Sequence, residues 1–404
     1  MLFKHAFSEP RTVPENAIVL SGVIMKNPIY LDYAAATPMD KSVFLAMQPY
    51  FTDKFYNPSA TYLAAQGVKK DLEAARAQVA YWFGARPSEI TFTAGSTEAN
   101  NLVIHGIMRQ YPTANIVVSA IEHESVLAPA REYDCSEAPV TSKGIIDLEK
   151  LAQTITDNTV LVSVMYANNE VGTVQPVGQV GQLIEEIRKD RRARGVMLPI
   201  YVHSDAAQAA AYLDLHAARL RVDFMTLNGG KIYGPKQSGA LFVSSKVQLL
   251  PQVLGGGQER GLRSGTENVA GSIGLSTALA LVQQRRHEEG KRLQTLQRLF
   301  IKLLSDKIPY AMVNGSTSRR LPNNVHITLP GHDNERILMA LDEAGVICAA
   351  GSACSASNEE PSHVLKAMGL SDAEAQASLR FTFGFQTTEP MIRTAIDDLA
   401  KQVL

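Results

Sequence analysis

Disulfides, metal-binding cysteine pairs and long apolar runs are all missing from this 404-residue sequence. Its three cysteines, Cys135, Cys348 and Cys354, cannot build a disulfide framework, and no two form the C-x-x-C pair of a zinc site. A reducing, cytoplasmic setting fits that usage best. No apolar stretch reaches the roughly 18 residues that a transmembrane helix needs, so no membrane partner is expected. The run AIVLSGVIM at 17–25 has the length of a signal-peptide core, but Glu9, Pro10, Pro14 and Glu15 stand where a basic leader belongs. Residues 1–24 read instead as an N-terminal extension ahead of Met25. An excess of one charge is lacking too: 39 Lys+Arg face 40 Asp+Glu, a formal net charge of -1. Binders of nucleic acid usually carry a basic excess, so direct nucleic-acid contact is not expected either. The basic run at 188–194 reads as a solvated helix C-terminus. Repeats and low-complexity tracts are absent.

What is present is a chain long enough for two domains. From residue 89 onward, short β-rich runs alternate with helical ones. Strands are expected at 89–93, 115–119, 159–167, 199–205, 223–228 and 239–244, with helices at 96–110, 124–133, 147–155 and 178–193. Several of these strands are apolar almost throughout, as strands covered on both faces must be. Such alternation predicts an α/β fold, a mainly parallel sheet wound on both sides by helices. Past the glycine-rich stretch at 255–265 a long helix is expected over about 266–305. Strands at 323–329, 346–348 and 378–383 and helices at 333–343 and 388–402 then predict a smaller α+β domain.

Three segments at strand ends carry chemistry. In TAGSTEAN (93–100), Gly95 permits a tight turn, and Ser96 and Thr97 set hydroxyls beside the unpaired N–H groups of a helix start, a phosphate-binding arrangement. Ordinary helix capping uses the same residues. In HSDAAQ (203–208), Asp205 lies at the carboxyl end of a strand, where open α/β sheets bind ligands; alone, it could simply cap the next turn. In LNGGKIYGPK (227–236), Lys231 follows two glycines, so its backbone can approach a ligand closely. A lysine forms Schiff bases when its surroundings favour the neutral amine. An aspartate to keep a pyridinium protonated, a lysine to bind the aldehyde and a phosphate cup together fit one cofactor, pyridoxal 5′-phosphate.

The chain also resembles a known family. YLDYAAATP, FTAGSTEANN, EHESV, NNEVG, HSDAAQ, GGKIYGPK, RSGTEN, GSACSAS and SLRFTFG follow one another from about Ile29 to the C-terminus. They resemble the group I cysteine desulfurases of the iron–sulfur-assembly type, within the aminotransferase class V family of fold-type-I pyridoxal enzymes. The resemblance implies a seven-stranded-type sheet in a large cofactor-binding domain (41–285) and a small C-terminal domain (286–404). Residues 25–40 would pack with the small domain. It implies that His123 stacks on the pyridine ring and moves protons, although a histidine there could equally cap its helix. Asn169 would touch cofactor or substrate carboxylate, Gln208 the ring phenolate oxygen, and Ser96 and Thr97 the phosphate. Thr266 would reach the phosphate of a second subunit, which makes the protein a homodimer. Arg380 would clamp the substrate carboxylate.

Cys354 sets the reaction. The stretch AAGSACSASNEEPSHVL (349–365) has the small-residue composition of a mobile loop. By the resemblance, its thiolate attacks the sulfur of L-cysteine, releasing L-alanine and leaving a persulfide for an acceptor protein. That acceptor would be an iron–sulfur scaffold or a tRNA-thiolation relay protein. Only a few per cent of an ordinary thiol is ionised at neutral pH, so a proton acceptor is needed, and His123 is the candidate. Cys135 and Cys348 are expected to be structural. One departure stands out: the family usually reads Ser-Gly-His-Lys where this chain has Asn228-Gly229-Gly230-Lys231, although Asn228 can still donate a hydrogen bond. Alternatives are another class V activity (an aminotransferase or selenocysteine lyase), which needs no Cys354, or a non-catalytic binding relative.

Overall fold

The computed structural model describes residues 17–20, 23–26, 28–351 and 361–404, with side chains from residue 28 onward. Cys354 lies outside the described residues. The centre is a seven-stranded sheet in the order Ile90–Thr93, Gly239–Val243, Phe224–Asn228, Tyr201–Asp205, Thr159–Ser163, Asn115–Ser119, Cys135–Ala138. Gly239–Val243 runs antiparallel to both its neighbours, and the other pairs are parallel. Asn115–Ser119, Thr159–Ser163 and Gly239–Val243 are buried at every position, because helices cover both faces. One apolar cluster holds Val117, Val162, Val202, Met225 and Leu227, and a second holds Ile116, Val118, Leu161, Phe224 and Leu241. Neighbouring residues of each strand thus enter different cores, as a period of two requires.

The strand expected over 159–167 ends at Ser163, yet Val164 and Tyr166 still donate to the carbonyls of His203 and Asp205 at 3.0 and 2.8 Å. The edge strand Cys135–Ala138 was not expected from the sequence: CSEA has no apolar run, and only Ala138 of it is buried. Three α-helices ahead of residue 89 were not expected either, Lys41–Met47, Pro49–Thr52 and the 21-residue Leu63–Phe83.

The long helix spans Val269–Lys307, 39 residues, and joins two cores. Its first half contributes Leu275, Ala278, Leu279 and Val282 to the sheet core. Its second half contributes Leu293, Leu296, Phe300 and Leu304 to another cluster, with Val325, Ile327, Leu379, Phe381 and Ile396. That second cluster lies on a three-stranded antiparallel sheet of Met312–Val313, Asn324–Thr328 and Ser378–Thr382. Ile29–Tyr30 pairs in parallel with Val346–Ile347, and Leu31 is buried in the same cluster.

His203 sits wholly buried in the central sheet, hydrogen-bonded to Ser163 Oγ (2.8 Å) and Thr226 Oγ1 (3.1 Å). Burial pulls its pKa down to about 4, against the opposing field of Asp205. In the unfolded chain the ring takes a proton near 6.5. Between about pH 6.5 and 4 the unfolded state therefore binds more protons, and stability falls as pH drops through that window. The expected contribution is up to about 3 kcal/mol. Urea unfolding between pH 7 and 4 should give a pH slope that flattens in His203→Gln; an unchanged slope would assign it to other groups.

Candidate active site

Asp205 and Lys231 lie at the ends of adjacent parallel strands, with Asp205 paired to Thr226 in register. A cavity of about 550 Å³ opens at this edge, lined by Ala35, Ala36, Gly95, Ser96, Thr97, Asn101, Asn228, Gly230, Lys231 and Lys236, among others. Its floor depends on glycine. Gly95 turns the chain from strand into helix at φ 137°, and a Cβ on Gly239 would come within 2.6 Å of the Gly95 Cα. The helix Ser96–Met108 then begins with its free N–H groups toward the cavity wall formed by Ser96 and Thr97.

Asn228 closes the corner between that helix and the lysine turn. Its Nδ2 donates to Ser96 Oγ at 3.0 Å, while its Oδ1 accepts from Gly230 N at 3.0 Å. The asparagine is therefore integrated where a serine is usual. A Cβ at Gly230 would meet nothing closer than Asn228 Oδ1 at 3.4 Å, so no crowding forces glycine there.

The turn Ala34–Ala36 holds the other side. Lys231 Nζ donates to Ala34 O (3.0 Å) and Ala35 O (2.5 Å), and Gln208 Nε2 donates to the same Ala34 O at 3.0 Å. Thr37 is tied to the lysine turn as well, its N and Oγ1 both donating to Gly230 O at 3.1 Å. Asp205 is buried, accepting from Asn100 Nδ2 at 2.7 Å and from Ala207 N at 2.8 Å. The contact with Ala207 N is the turn-capping one that the sequence allowed.

His123 begins the short helix Glu124–Ala130 and caps it: Nδ1 accepts from Ser125 N at 3.0 Å and lies 2.9 Å from Ser125 Oγ. Burial lowers its pKa; the nearby Asp205 charge acts against that shift and the Lys231 charge adds to it. Ser125 Oγ also accepts from Asn100 Nδ2 at 2.9 Å, so His123 and Asp205 are joined through Ser125 and Asn100. Asn100, wholly buried, was missed as a site residue although it lies inside the TEANN motif. Helical periodicity alone places it on the sheet-facing side without showing what it meets there.

Arg380 is buried, donating to Asp32 Oδ1 at 2.7 Å and to Asn169 O at 3.0 Å, and its Nε has no partner among the described residues. Asp32, its ion-pair partner, is a second residue that the sequence reading missed. Backbone bonds between Ala349 and Arg380 (3.1 and 2.6 Å) hold the chain just before the segment with Cys354, and Ser362 Oγ donates to Glu170 Oε2 at 2.5 Å just after it. Thr266 is exposed, away from the cavity lining. Burial pushes the Cys135 thiol up to about 11 and raises that of Cys348, so neither is poised as a thiolate.

The arrangement suits a phosphorylated aromatic aldehyde. The cavity lies in the volume range of small-ligand sites. Ser96, Thr97 and Asn228 could hold a phosphate, Lys231 an aldehyde carbon, and Asp205 a ring nitrogen. Among the described residues no group of His, Cys, Asp and Glu could hold a metal ion, and no helix is long and apolar enough to cross a membrane.

A profile of the aminotransferase class-V family matches residues 29–393. The chain is 37% identical over 384 residues to the cysteine desulfurase IscS of Dictyoglomus turgidum, covering 93% of this chain and 95% of that one. It is 38% identical over 386 residues to the cysteine desulfurase IscS of Rickettsia felis, covering 93% and 91%. Among solved structures, a NifS-like protein from Rickettsia africae is similar at TM-score 0.83 and 31% identity, covering 93% of this chain and 99% of that one. A structure of SspA in complex with cysteine is similar at TM-score 0.73 and 32% identity, covering 88% and 98%.

Proposed function

Since the chain belongs to the aminotransferase class-V family and its relatives are cysteine desulfurases, we propose that it moves sulfur from L-cysteine to Cys354 with pyridoxal 5′-phosphate held on Lys231. The observation that carries this reading is the convergence of Lys231, Asp205 and the Gly95–Ser96–Thr97 helix start on one sheet edge. When bound, the cofactor supplies an electron sink for the pair released at the substrate Cα. Ser96, Thr97 and Asn228 would hold its phosphate, Asp205 would keep a proton on the ring nitrogen, and Gln208 would serve the phenolate oxygen. Lys231 would hold the cofactor's aldehyde, and its Nζ as a free amine would accept the substrate Cα proton. Arg380, steadied by Asp32, and Asn169 orient the substrate carboxylate.

Cys354 then forms an S–S bond to the substrate sulfur as the Cβ–S bond breaks. The electron pair of the broken bond ends, with a proton, as a C–H bond of L-alanine. The balance is one L-cysteine and one thiol in, one L-alanine and one persulfide out. The persulfide passes to an acceptor protein, an iron–sulfur scaffold or a tRNA-thiolation relay, in the cytoplasm. The working form is a homodimer: Phe44, Phe51, Phe55 and Leu63, at 53, 63, 66 and 85% exposed, crowd one stretch of chain and call for a covering surface, and exposed Thr266 is available to the partner's phosphate.

Treatment with L-cysteine followed by peptide mass spectrometry tests the reading. One added sulfur atom is expected on the Cys354 peptide, with L-alanine released in step. Sulfur found on Cys135 or Cys348, or alanine without any persulfide, would sink it.

A further inference from the structure

We propose that Lys236 is the cationic partner of the cofactor phosphate, lying in the space that Gly230 leaves open. The inference rests on the reading that pyridoxal 5′-phosphate occupies the cavity, and it starts from a charge balance. A phosphate monoester carries about −1.5 to −2 charges at neutral pH. The groups assigned to it, Ser96, Thr97 and Asn228, are neutral, and the start of the Ser96–Met108 helix offers only about half a positive charge. Glu98 also lines the cavity, but Arg263 holds it at 2.9 Å and Ala94 N donates to it at 2.8 Å. Among the described residues lining the cavity, the cations are Lys231 and Lys236. Lys231 Nζ is engaged by the carbonyls of Ala34 and Ala35 and is assigned to the aldehyde. The phosphate is thus left to Lys236.

The backbone brings Lys236 back onto the lysine turn. Residues 229–238 connect two antiparallel strands, and Asn228 pairs with Gly239 at their mouth. The return is tight: Gly229 N donates to Ser238 O at 2.8 Å, Gly234 N to Gly229 O at 2.9 Å, and Ser238 Oγ to Pro235 O at 2.7 Å. Tyr233 and Gln237, on either side of Lys236, take left-handed backbone angles, φ 64 and 57°. Residues with a side chain hold that conformation only where their surroundings dictate it. A Cβ on Gly230 would meet Asn228 Oδ1 at 3.4 Å and Lys236 Cγ at 3.6 Å. The lysine stem therefore passes over Gly230, beside the same asparagine whose Nδ2 donates to Ser96 Oγ at 3.0 Å.

This arrangement also accounts for Gly230. Its φ lies outside the left-handed range and no neighbour crowds a Cβ there, so neither strain nor close packing calls for glycine. A side chain longer than a methyl group would, however, compete with the Lys236 stem for one corner of the cavity. Histidine, usual in the family at this position, would claim the ground that Lys236 covers here. Glycine at 230 and lysine at 236 are two halves of one device: the missing side chain makes room for the other. An exposed lysine is ordinarily just a solvated charge. Lys236 differs in that its stem is laid against the phosphate corner while its exposed ammonium keeps its hydration until an anion arrives. An attraction made at such an exposed site weakens as salt is added.

The test is reconstitution of the full-length apoprotein with pyridoxal 5′-phosphate and, separately, with pyridoxal, which keeps the ring and aldehyde but has no phosphate. Titration of the covalent absorbance gives both dissociation constants. Lys236→Met keeps the stem and removes the charge. It should weaken binding of the phosphorylated compound by about tenfold, the scale of one charge-assisted hydrogen bond at an exposed position. Pyridoxal affinity should stay within about twofold of the parent's, and at saturation the covalent absorbance on Lys231 should be unchanged. Added salt should weaken phosphorylated-cofactor binding more steeply in the parent than in the variant. Gly230→His in the Lys236→Met background should recover much of the loss, because an imidazole then donates from the same corner. Equal weakening of both compounds would make Lys236 a structural residue, and no weakening of either would make it a solvated charge; each overturns the proposal. A double variant no better than Lys236→Met would show that the phosphate is not met above Gly230, which overturns it too. A parent protein that forms no covalent absorbance with either compound would instead refute the cofactor reading itself, and this inference with it, so the two failures are told apart.

Discussion

Lys231→Ala is expected to remove both the visible absorbance of lysine-bound cofactor and L-alanine release, the latter by about 10⁴-fold or more. The size of the effect follows from two roles on one atom. In the proposed reaction Nζ is the covalent anchor and also carries the Cα proton. Lys236 lines the same cavity, but it follows the turn Gly229–Lys231 by five residues and is exposed. Lys231, by contrast, is drawn to the Ala34 and Ala35 carbonyls at 3.0 and 2.5 Å, on the side where Gln208 also ends. In the variant, the phosphate contacts proposed for Ser96, Thr97 and Asn228 are untouched, so cofactor should still bind but be lost on gel filtration. Lys236→Ala is the control and should keep the covalent absorbance. Absorbance that persists in Lys231→Ala and disappears in Lys236→Ala would move the anchor five residues along the chain and dismantle the proposed site.

The sequence made some of this site readable and hid the rest for physical reasons. Asp205, Lys231 and the Ser96–Thr97 helix start were legible because each follows an apolar strand, and the parallel topology implied by strand–helix alternation brings strand ends to one edge. Arg380 was legible as a residue on a buried strand, but its Asp32 partner is 348 positions away, and no local pattern reports such a pairing. Asn100 was hidden differently. Its motif was noticed, yet only the packing of the Ser96–Met108 helix against the strand ends reveals that its amide spans Ser125 and Asp205. His123 was read with two meanings, helix cap and proton carrier. The cap is present. The edge strand Cys135–Ala138 was invisible because only its last residue is buried, so it carries no apolar run. The alanines at 34–36, read from sequence only as part of a family motif, act through backbone carbonyls, which side-chain chemistry cannot forecast.

Arg76→Met should destabilise the protein by about 3–5 kcal/mol, far more than the loss of a surface pair. Arg76 belongs to the Leu63–Phe83 helix, on a face otherwise made of Val68, Leu72, Ala75, Val79 and Phe83. Its guanidinium meets Glu259 in a fork, NH1 to Oε2 at 2.6 Å and NH2 to Oε1 at 2.8 Å, with both side chains only 3% exposed. Glu259 Oε2 also accepts from Phe92 N at 2.9 Å, and Arg76 NH1 donates to Ile90 O at 3.0 Å, so the pair joins a helix, the first sheet strand and the 255–268 loop. That loop is strained where the pair grips it: Glu259, Arg260 and Gly261 all take left-handed backbone angles, φ 48, 58 and 82°. Each of the two non-glycine residues costs roughly 1–2 kcal/mol there and persists only if its surroundings dictate it. Methionine fills Arg76's volume but leaves a buried carboxylate with one backbone donor in place of three partners. The cost should therefore come mainly from the stranded charge. Arg76→Met/Glu259→Gln, which removes that charge and keeps an acceptor for Phe92 N–H, should recover at least half of the lost stability in urea unfolding. The same variants bear on the site, because Thr266 lies seven residues beyond Glu259 on the gripped loop. If Thr266 serves a second subunit's phosphate, the single variant should also weaken cofactor retention, and the double variant should restore it in part. A single variant as stable as the parent would show that the buried pair is not what holds the loop in its left-handed conformation.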